Sequence, residues 1–442
     1  MPLVSPGIEI KSEPERPSVS LKNWGAWLGR GSLAITDQGL FAISNFMLNV
    51  LLARWLDPAS YGAFAMVYSV FLLLLVFHNA LFTGPMLIFG SGKYHDRMPE
   101  YLGILLRGHF LLVLPGVALL GIAAILFGSL YSLEVERAFL ALAIGGPFIL
   151  LLWLLRRAFY VRLNPGWAAA GGGVYFFFLV TSALTLHAVG YLTPATGILA
   201  MAVASLIACA LFLLLLRPTL ETDPSSIREV TADHWRYGKW VVAAAGPAWI
   251  MDNIYFLVLP AWVSLAEAGG LRALLNLAQP ALQSIAALSA LLLPILVRDR
   301  SFGGPSAMKQ TMKISLSLFL AGCTCYLLLL WGFRSAIFNL LYANKYASYA
   351  TWPLLLTGIL PFVQSLSNVV GAVLSAHERP DMNFWSSTGS SIVAITFGIP
   401  LAYALGVAGA LIGLIVSYTA MGILMVLFLM RFDLQKERII QK

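Results

Sequence analysis

The chain is a succession of long apolar runs, each about the length of a bilayer crossing, separated by short polar segments. A transmembrane helix needs about 20 predominantly apolar residues. Runs near 32–53, 64–90, 103–128, 138–161, 168–190 and 194–216 predict six such helices. A polar stretch at 217–238 follows, and runs near 240–262, 272–297, 311–333, 347–376, 384–403 and 407–430 predict six more. The runs are continuous rather than alternating, which excludes a transmembrane β-barrel. The expected fold class is therefore all-α integral membrane, with about twelve transmembrane helices in two six-helix lobes. The lobes are expected over 31–216 and 239–432, with a cytoplasmic linker at 217–238 and tails at 1–30 and 433–442.

Composition strengthens this reading. Hydrophobic residues make up 59% of the chain and charged residues 11%, and the mean hydropathy is +0.83. A soluble domain carries about 25% charged residues, so the apolar surface left over here must face lipid. The net charge of +8 does not point to nucleic acid, because the basic residues sit between the apolar runs. Of the 28 Lys and Arg residues, only Arg54, Arg137, Arg272, Arg334 and Lys345 fall on the side opposite the termini. The positive-inside rule then places both termini in the cytoplasm. Residues 1–20 lack an apolar signal-peptide core and are expected to be a disordered tail. Residues 21–30 put Trp24 and Trp27 among Lys22 and Arg30, the pattern of a short interfacial helix. Cys209, Cys323 and Cys325 all lie in apolar runs and show neither pairing nor metal spacing.

The two halves repeat. Residues 52–69 lie over 259–276 at a constant offset, with Trp55 on Trp262 and Gly62 on Gly269. Pro85 in the second run has a near counterpart in Pro294 of the eighth. Pro147-Phe148, Asn164-Pro165 and Trp167 are echoed by Pro361-Phe362, Arg379-Pro380 and Trp385. Both halves start on the same side, so the repeats are parallel, as in alternating-access carriers with a site between lobes.

The opening stretch, residues 36–74, contains a Asp37-Gln38 pair, Ser44-Asn45-Phe46, Leu51-Leu52-Ala53-Arg54-Trp55 and a short loop ending in Tyr61-Gly62 and Phe64. It resembles the Wzx-like polysaccharide and O-antigen flippases of the multidrug/oligosaccharidyl-lipid/polysaccharide exporter superfamily. The resemblance is clearest over 30–90. It implies two six-helix lobes facing each other in a V. It implies a flippase that carries an undecaprenyl-pyrophosphate-linked oligosaccharide from the inner to the outer leaflet of the bacterial inner membrane. It also implies that a polysaccharide polymerase and export machinery act alongside. The second half departs from the first: Ala261 stands where the first has Arg54, and its loop reads Glu267-Ala268-Gly269-Gly270.

A pyrophosphate-sugar headgroup needs cationic and hydrogen-bonding groups in a water-accessible cavity, and intramembrane ionisable residues are candidates by default. Two carboxylates lie within runs, Asp37 and Asp252, and both are candidates for H+ or Na+ coupling. Asp252 is the stronger cavity candidate, since it lies midway along its run beside Asn253 and the repeat sets it over Asn45. Arg54 and Arg272 could form a cationic cavity rim, because guanidinium suits bidentate phosphate contact. Asn276, Gln279 and Gln283 recur at spacings of three and four and share one helix face, as do Gln364 and Asn368. Such faces turn toward protein or water, and neutral amides suit sugars. Arg107 and His109 could draw an anionic headgroup inward, although positive-inside placement alone also accounts for Arg107. No cofactor is expected.

Three alternatives share part of this pattern. A cation-coupled multidrug exporter of the same superfamily would use Asp37 and Asp252 to bind cations. A membrane glycosyltransferase or polymerase would need catalytic acids or bases on a sizeable outer segment, and here the outer loops are short. A sugar carrier of the major facilitator type would need a basic signature loop after its second helix, but residues 91–101 share only Asp96-Arg97 with it.

Overall fold

The computed structural model of the chain describes residues 24–377 and 379–440. Among them there is no strand, and ten helices are long and apolar enough to cross a membrane. A further span is a bent pair, Pro224–Asn253 and Tyr255–Trp262, turned by 46° at the break. The stretch Asp381–Arg431 runs 51 residues, and helix rises about 1.5 Å per residue against a core of about 30 Å. It must therefore cross twice, and its backbone divides at Gly406 (φ 59°, ψ −134°), in a region that essentially only glycine adopts. Twelve crossings result among the described residues, in line with the expected number.

We number them α1 (Trp24–Trp55), α2 (Pro58–Phe89), α3 (Met98–Leu130), α4 (Leu133–Val161), α5 (Pro165–Ala188), α6 (Pro194–Leu216), α7 (Pro224–Asn253 with Tyr255–Trp262), α8 (Leu265–Arg298), α9 (Gly304–Gly332), α10 (Trp352–Ala376), α11 (380–405) and α12 (407–440). A short helix, Arg334–Tyr342, lies between α9 and α10. The protein is a multi-pass membrane protein.

Local chemistry sets the helix starts earlier than hydropathy does. Asp57 accepts the backbone N–H groups of Ala59 and Ser60 at 3.0 Å, and Pro58 occupies the first helical position. Ser132, Thr193, Asp223 and Ser264 cap α4, α6, α7 and α8 in the same way. Asp57 and Ser264 stand at equivalent places in the two halves, so the repeat extends to the caps. The polar stretch expected as a linker at 217–238 is in large part helical: residues 224–238 form the first turns of α7, because Asp223 and Pro224 start a helix there. The interfacial helix expected over 21–30 is, from Trp24 onward, the beginning of α1, which runs without a break to Trp55. The remaining expected tail segments, at 1–23 and 441–442, lie outside the described residues. The prolines Pro85 and Pro400 follow π-turns at Asn79–Thr83 and Ala394–Gly398, where the ladder is locally reset. Cys209 and Cys323 are buried, but Cys325 projects from α9.

Within the first lobe, α1 packs on α5, α4 on α6 and α3 on α4; within the second, α8 and α9 pack on α10, and α11 on α12. A buried ion pair ties α1 to α4. Arg156 Nε lies 2.9 Å from both Asp37 oxygens and Nη2 2.7 Å from Oδ2, with both side chains fully buried. Tyr160 donates to the same carboxylate, and the guanidinium lies 3.9 Å from the Phe41 ring centroid.

The lobes meet through α2 and α8, which cross backbone to backbone at Gly62 and Gly269. A Cβ on Gly62 would lie 1.7 Å from the Leu265 carbonyl oxygen, and one on Gly269 would lie 2.4 Å from that of Pro58. Each glycine touches its own repeat equivalent, as required of residues on a two-fold axis. At this loop end of the bundle, Tyr61, Phe64, Leu271, Leu274, Tyr342 and Tyr346 belong to one core shared by both lobes. Arg54 donates to the carbonyls of Asn339 and Leu340 in the last turn of the short helix, and Lys345 donates to Leu56 O at 2.7 Å. Partial burial lowers the Lys345 ammonium below the ordinary lysine range.

Toward the termini end, the second lobe keeps a separate core of Ile285, Leu292, Leu296, Phe319 and Val373, and the lobes part. The first half of α7 bridges them there. Asp233 accepts Lys93 at 2.7 Å and Tyr94 at 2.8 Å, Glu229 accepts Lys93 at 2.7 Å, and His234 joins Tyr101 and Leu81 O. Hydrogen bonds to the Asp233 and Glu229 carboxylates hold the Lys93 ammonium above its ordinary range.

Two outcomes are expected. Gly62→Ala or Gly269→Ala should cost roughly 1–3 kcal/mol or more through overpacking, whereas Gly116→Ala, whose Cβ meets open space, should not. Thermal unfolding in detergent separates the two classes. Asp37→Asn strands a buried guanidinium and should cost roughly 3–5 kcal/mol. Asp37→Asn combined with Arg156→Met should recover part of that loss in the same assay.

Candidate functional site

Between the lobes, below the glycine crossing, lies an open cavity of about 260 Å³. Its walls come from α1, α2, α4, α5, α6 and α8. Helix α8 crosses the seam, so it carries its polar face from the second lobe into a chamber otherwise built by the first. Five of the residues expected from sequence line it: Asn45, Arg272, Asn276, Gln279 and Gln283. The three-and-four spacing on α8 therefore marks a cavity face.

Among the described residues, Arg272 is the one cationic side chain on this wall. Its Nε donates to Asn49 Oδ1 at 3.0 Å, and that oxygen also accepts Tyr61 at 3.2 Å. The Asn49 amide donates in turn to Asn45 O at 2.8 Å. The guanidinium lies over Tyr68 at 4.5 Å and Phe256 at 5.7 Å from the ring centroids. It forms no ion pair among the described residues, and the cavity lining contains no Asp or Glu. A half-buried, carboxylate-free guanidinium leaves the chamber electropositive. The Asn276 amide nitrogen is buried in the lining and makes no hydrogen bond among the described atoms. Such a donor favours an acceptor brought by a ligand or water. Gln283 donates to Gln279 at a long 3.4 Å, which leaves both amides available.

The remaining candidates lie elsewhere. Arg54 is a tether at the loop end rather than a cavity rim, because the end of the short helix presents its last carbonyls to it. Asp37 is outside the lining, and Arg156 already neutralises it. Asp252 and Asn253 sit at the bend of α7. Asp252 accepts the Tyr418 hydroxyl of α12 at 2.6 Å and has no cationic partner among the described residues. Asn253 donates to Trp249 O at 3.4 Å. Gln364 and Asn368 share a face of α10, but that face does not border this cavity; the Asn368 amide donates to Gln364 O at 3.0 Å. His109 is buried against His78, with 3.0 Å between ring nitrogens.

Sequence reasoning missed Asn49 and the aromatic walls. Asn49 is one helical turn beyond Asn45, and that spacing was the available signal. Phe41, Tyr68, Trp153 and Tyr175 also line the chamber, with Phe41 stacked on Tyr175 at 5.1 Å. In an apolar run, nothing in sequence separates such rings from ordinary core.

No family model matches the chain, and no curated protein matches it. Solved structures do. The chain is similar to an inward-facing multidrug resistance MATE family transporter of the MOP superfamily, at 13% identity over 91% of this chain and 99% of that one, with a TM-score of 0.74. It is similar to the lipid II flippase MurJ in an inward closed conformation, at 13% identity over 90% of this chain and 87% of that one, with a TM-score of 0.73. An outward-facing MATE family transporter gives 0.60 at 13% identity, over 92% of this chain and 96% of that one. The protein thus has the two-lobed, V-shaped fold that these exporters share.

Proposed function

We propose that the protein is a flippase for an anionic, lipid-linked saccharide, with an undecaprenyl-pyrophosphate-linked repeat unit of a polysaccharide as the substrate. The observation that carries this reading is the polarity of the cavity: among its lining residues are one guanidinium, several amides, of which the Asn276 nitrogen makes no hydrogen bond among the described atoms, aromatic faces and no carboxylate. The guanidinium suits a phosphate. Amides and rings suit the hydroxyls and the apolar faces of a sugar. The polyprenyl chain stays in lipid while the headgroup crosses, and the MurJ likeness adds a lipid flippase with this fold. The termini end, which holds most Lys and Arg, is the cytoplasmic end in this reading, so the parted lobes receive substrate from the inner leaflet. Opening the loop end would require the packed seam around the Gly62–Gly269 crossing to separate. The membrane is then the bacterial inner membrane, and a polysaccharide polymerase would consume the product.

A multidrug exporter has the same fold, and one observation keeps that reading in view: Asp252 is an intramembrane carboxylate whose hydrogen-bond partner among the described residues is the Tyr418 hydroxyl. The cavity around Arg272 argues against cationic cargo. Asp252 fits better as a proton or sodium coupling site in the second lobe, while Asp37 is occupied by Arg156.

A strain lacking the gene should accumulate complete pyrophosphate-linked repeat units facing the cytoplasm. Normal lipid-linked sugars together with new sensitivity to cationic drugs would favour the exporter instead. In proteoliposomes, Arg272→Ala should slow flipping on the order of 10–100-fold, the value of a charge-assisted hydrogen bond, and Arg272→Lys should restore part of it. Asp252→Asn should abolish the response of flipping to an imposed proton or sodium gradient. An unaltered response would remove the coupling role.

A further inference from the structure

We propose that the protein carries a second site, for an anionic glycerophospholipid of the bilayer, where α3 meets the first half of α7 at the termini end. Two features adjoin there. An apolar groove of about 400 Å³ runs up the side of the bundle between α2, α3, α4 and α7, past Leu74, Phe77, Leu112, Leu119 and Val242. At its termini end it meets a second recess, mainly apolar, in which Arg107, Arg228, Thr222 and Thr231 stand among Pro224, Ile227 and Ala232. Trp235 borders both and is 59% exposed.

The order of these residues along both helices is that of a lipid. On α3, Arg107 precedes Leu112 and Leu119; on α7, Arg228 and Thr231 precede Trp235 and Val242. The two helices start at the same end, so both polar ends coincide. Arg107 and Arg228 make no hydrogen bond or ion pair among the described residues, unlike Lys93, Arg156 and Arg236 nearby in sequence or space. Two unpaired guanidiniums at the head of an apolar groove complement a phosphodiester with a hydrocarbon tail, and a bordering tryptophan belongs at headgroup depth. The groove lies behind α2 and α4, on the faces opposite Leu72, Leu75 and Leu152 of the central cavity. It is therefore separate from the transport chamber, and the inference does not depend on what that chamber carries. A lipid there would join α3 of the first lobe to α7, reinforcing the bridge that Lys93 and Asp233 make.

The test uses the full chain purified in a neutral detergent, with thermal unfolding followed on addition of phosphatidylglycerol or phosphatidylcholine of the same acyl composition. Phosphatidylglycerol should stabilise the wild type and phosphatidylcholine should not. Arg107→Ala with Arg228→Ala should raise the half-saturating phosphatidylglycerol concentration by about tenfold or more. Gly116→Phe borders the groove at a position whose Cβ has no neighbour within 4 Å, so it should block lipid without lowering the melting temperature of the lipid-free protein. Arg137→Ala, at the loop end, should leave the response unchanged. Equal effects of the two lipids, an unaltered response in both groove variants, or the same stabilisation by soluble glycerol phosphate would overturn the proposal. Displacement of phosphatidylglycerol by a polyprenyl pyrophosphate would assign the groove to substrate and overturn it as well.

Discussion

Everything between the lobes depends on the backbone contact of Gly62 with Gly269. Two helices can approach this closely only where neither carries a side chain, and small residues at a membrane helix interface replace the hydrophobic drive that lipid removes. The contact fixes α8 against α2, and so places the polar face of α8 opposite the first lobe. Around it, tyrosines from both lobes complete a common core, and Arg54 and Lys345 donate to carbonyls across the seam. The loop end is thus sealed by apolar packing and backbone acceptors rather than by ion pairs.

The charges follow a consistent economy. Burying an ion is costly unless it is paired. Asp37 and Arg156 pair within the first lobe and stiffen the contact of α1 with α4. Arg272 has no such partner; an asparagine carbonyl and two rings hold it in place, which leaves its charge to the chamber. Asp252 is held, among the described residues, by the Tyr418 hydroxyl, in the lobe that does not contribute most of the cavity wall. The two halves have therefore diverged in the charges they bury, while their caps, crossing glycines and helix order still match.

The two ends of the bundle are built from different chemistry. At the loop end, dry packing joins the lobes. At the termini end, the bridge is the amphipathic start of α7, held by Lys93, Asp233, Glu229 and His234. Partly exposed ion pairs are individually weak and water can replace them, whereas a glycine crossing is lost only if the helices separate. A rocking motion that opens the loop end must therefore disturb the packed seam.

Sequence alone determined the membrane class, the twelve crossings, the two-fold repeat and the polar stripe on α8, because each follows from periodicity and hydropathy along one helix. It also marked Arg272 and Asn45 as cavity residues. It did not separate Arg272 from Arg54, since both are lone arginines near a helix end; only the tertiary structure sets one in the chamber and the other on a carbonyl pair. It did not pair Asp37 with Arg156, which are far apart in the chain and meet because α1 and α4 share a lobe. Nor did it reveal the aromatic walls, because a ring facing a cavity and a ring facing a core occupy the same apolar run. Which face of a uniformly apolar helix meets water, lipid or protein is a property of its neighbours, and only the assembled bundle decides it.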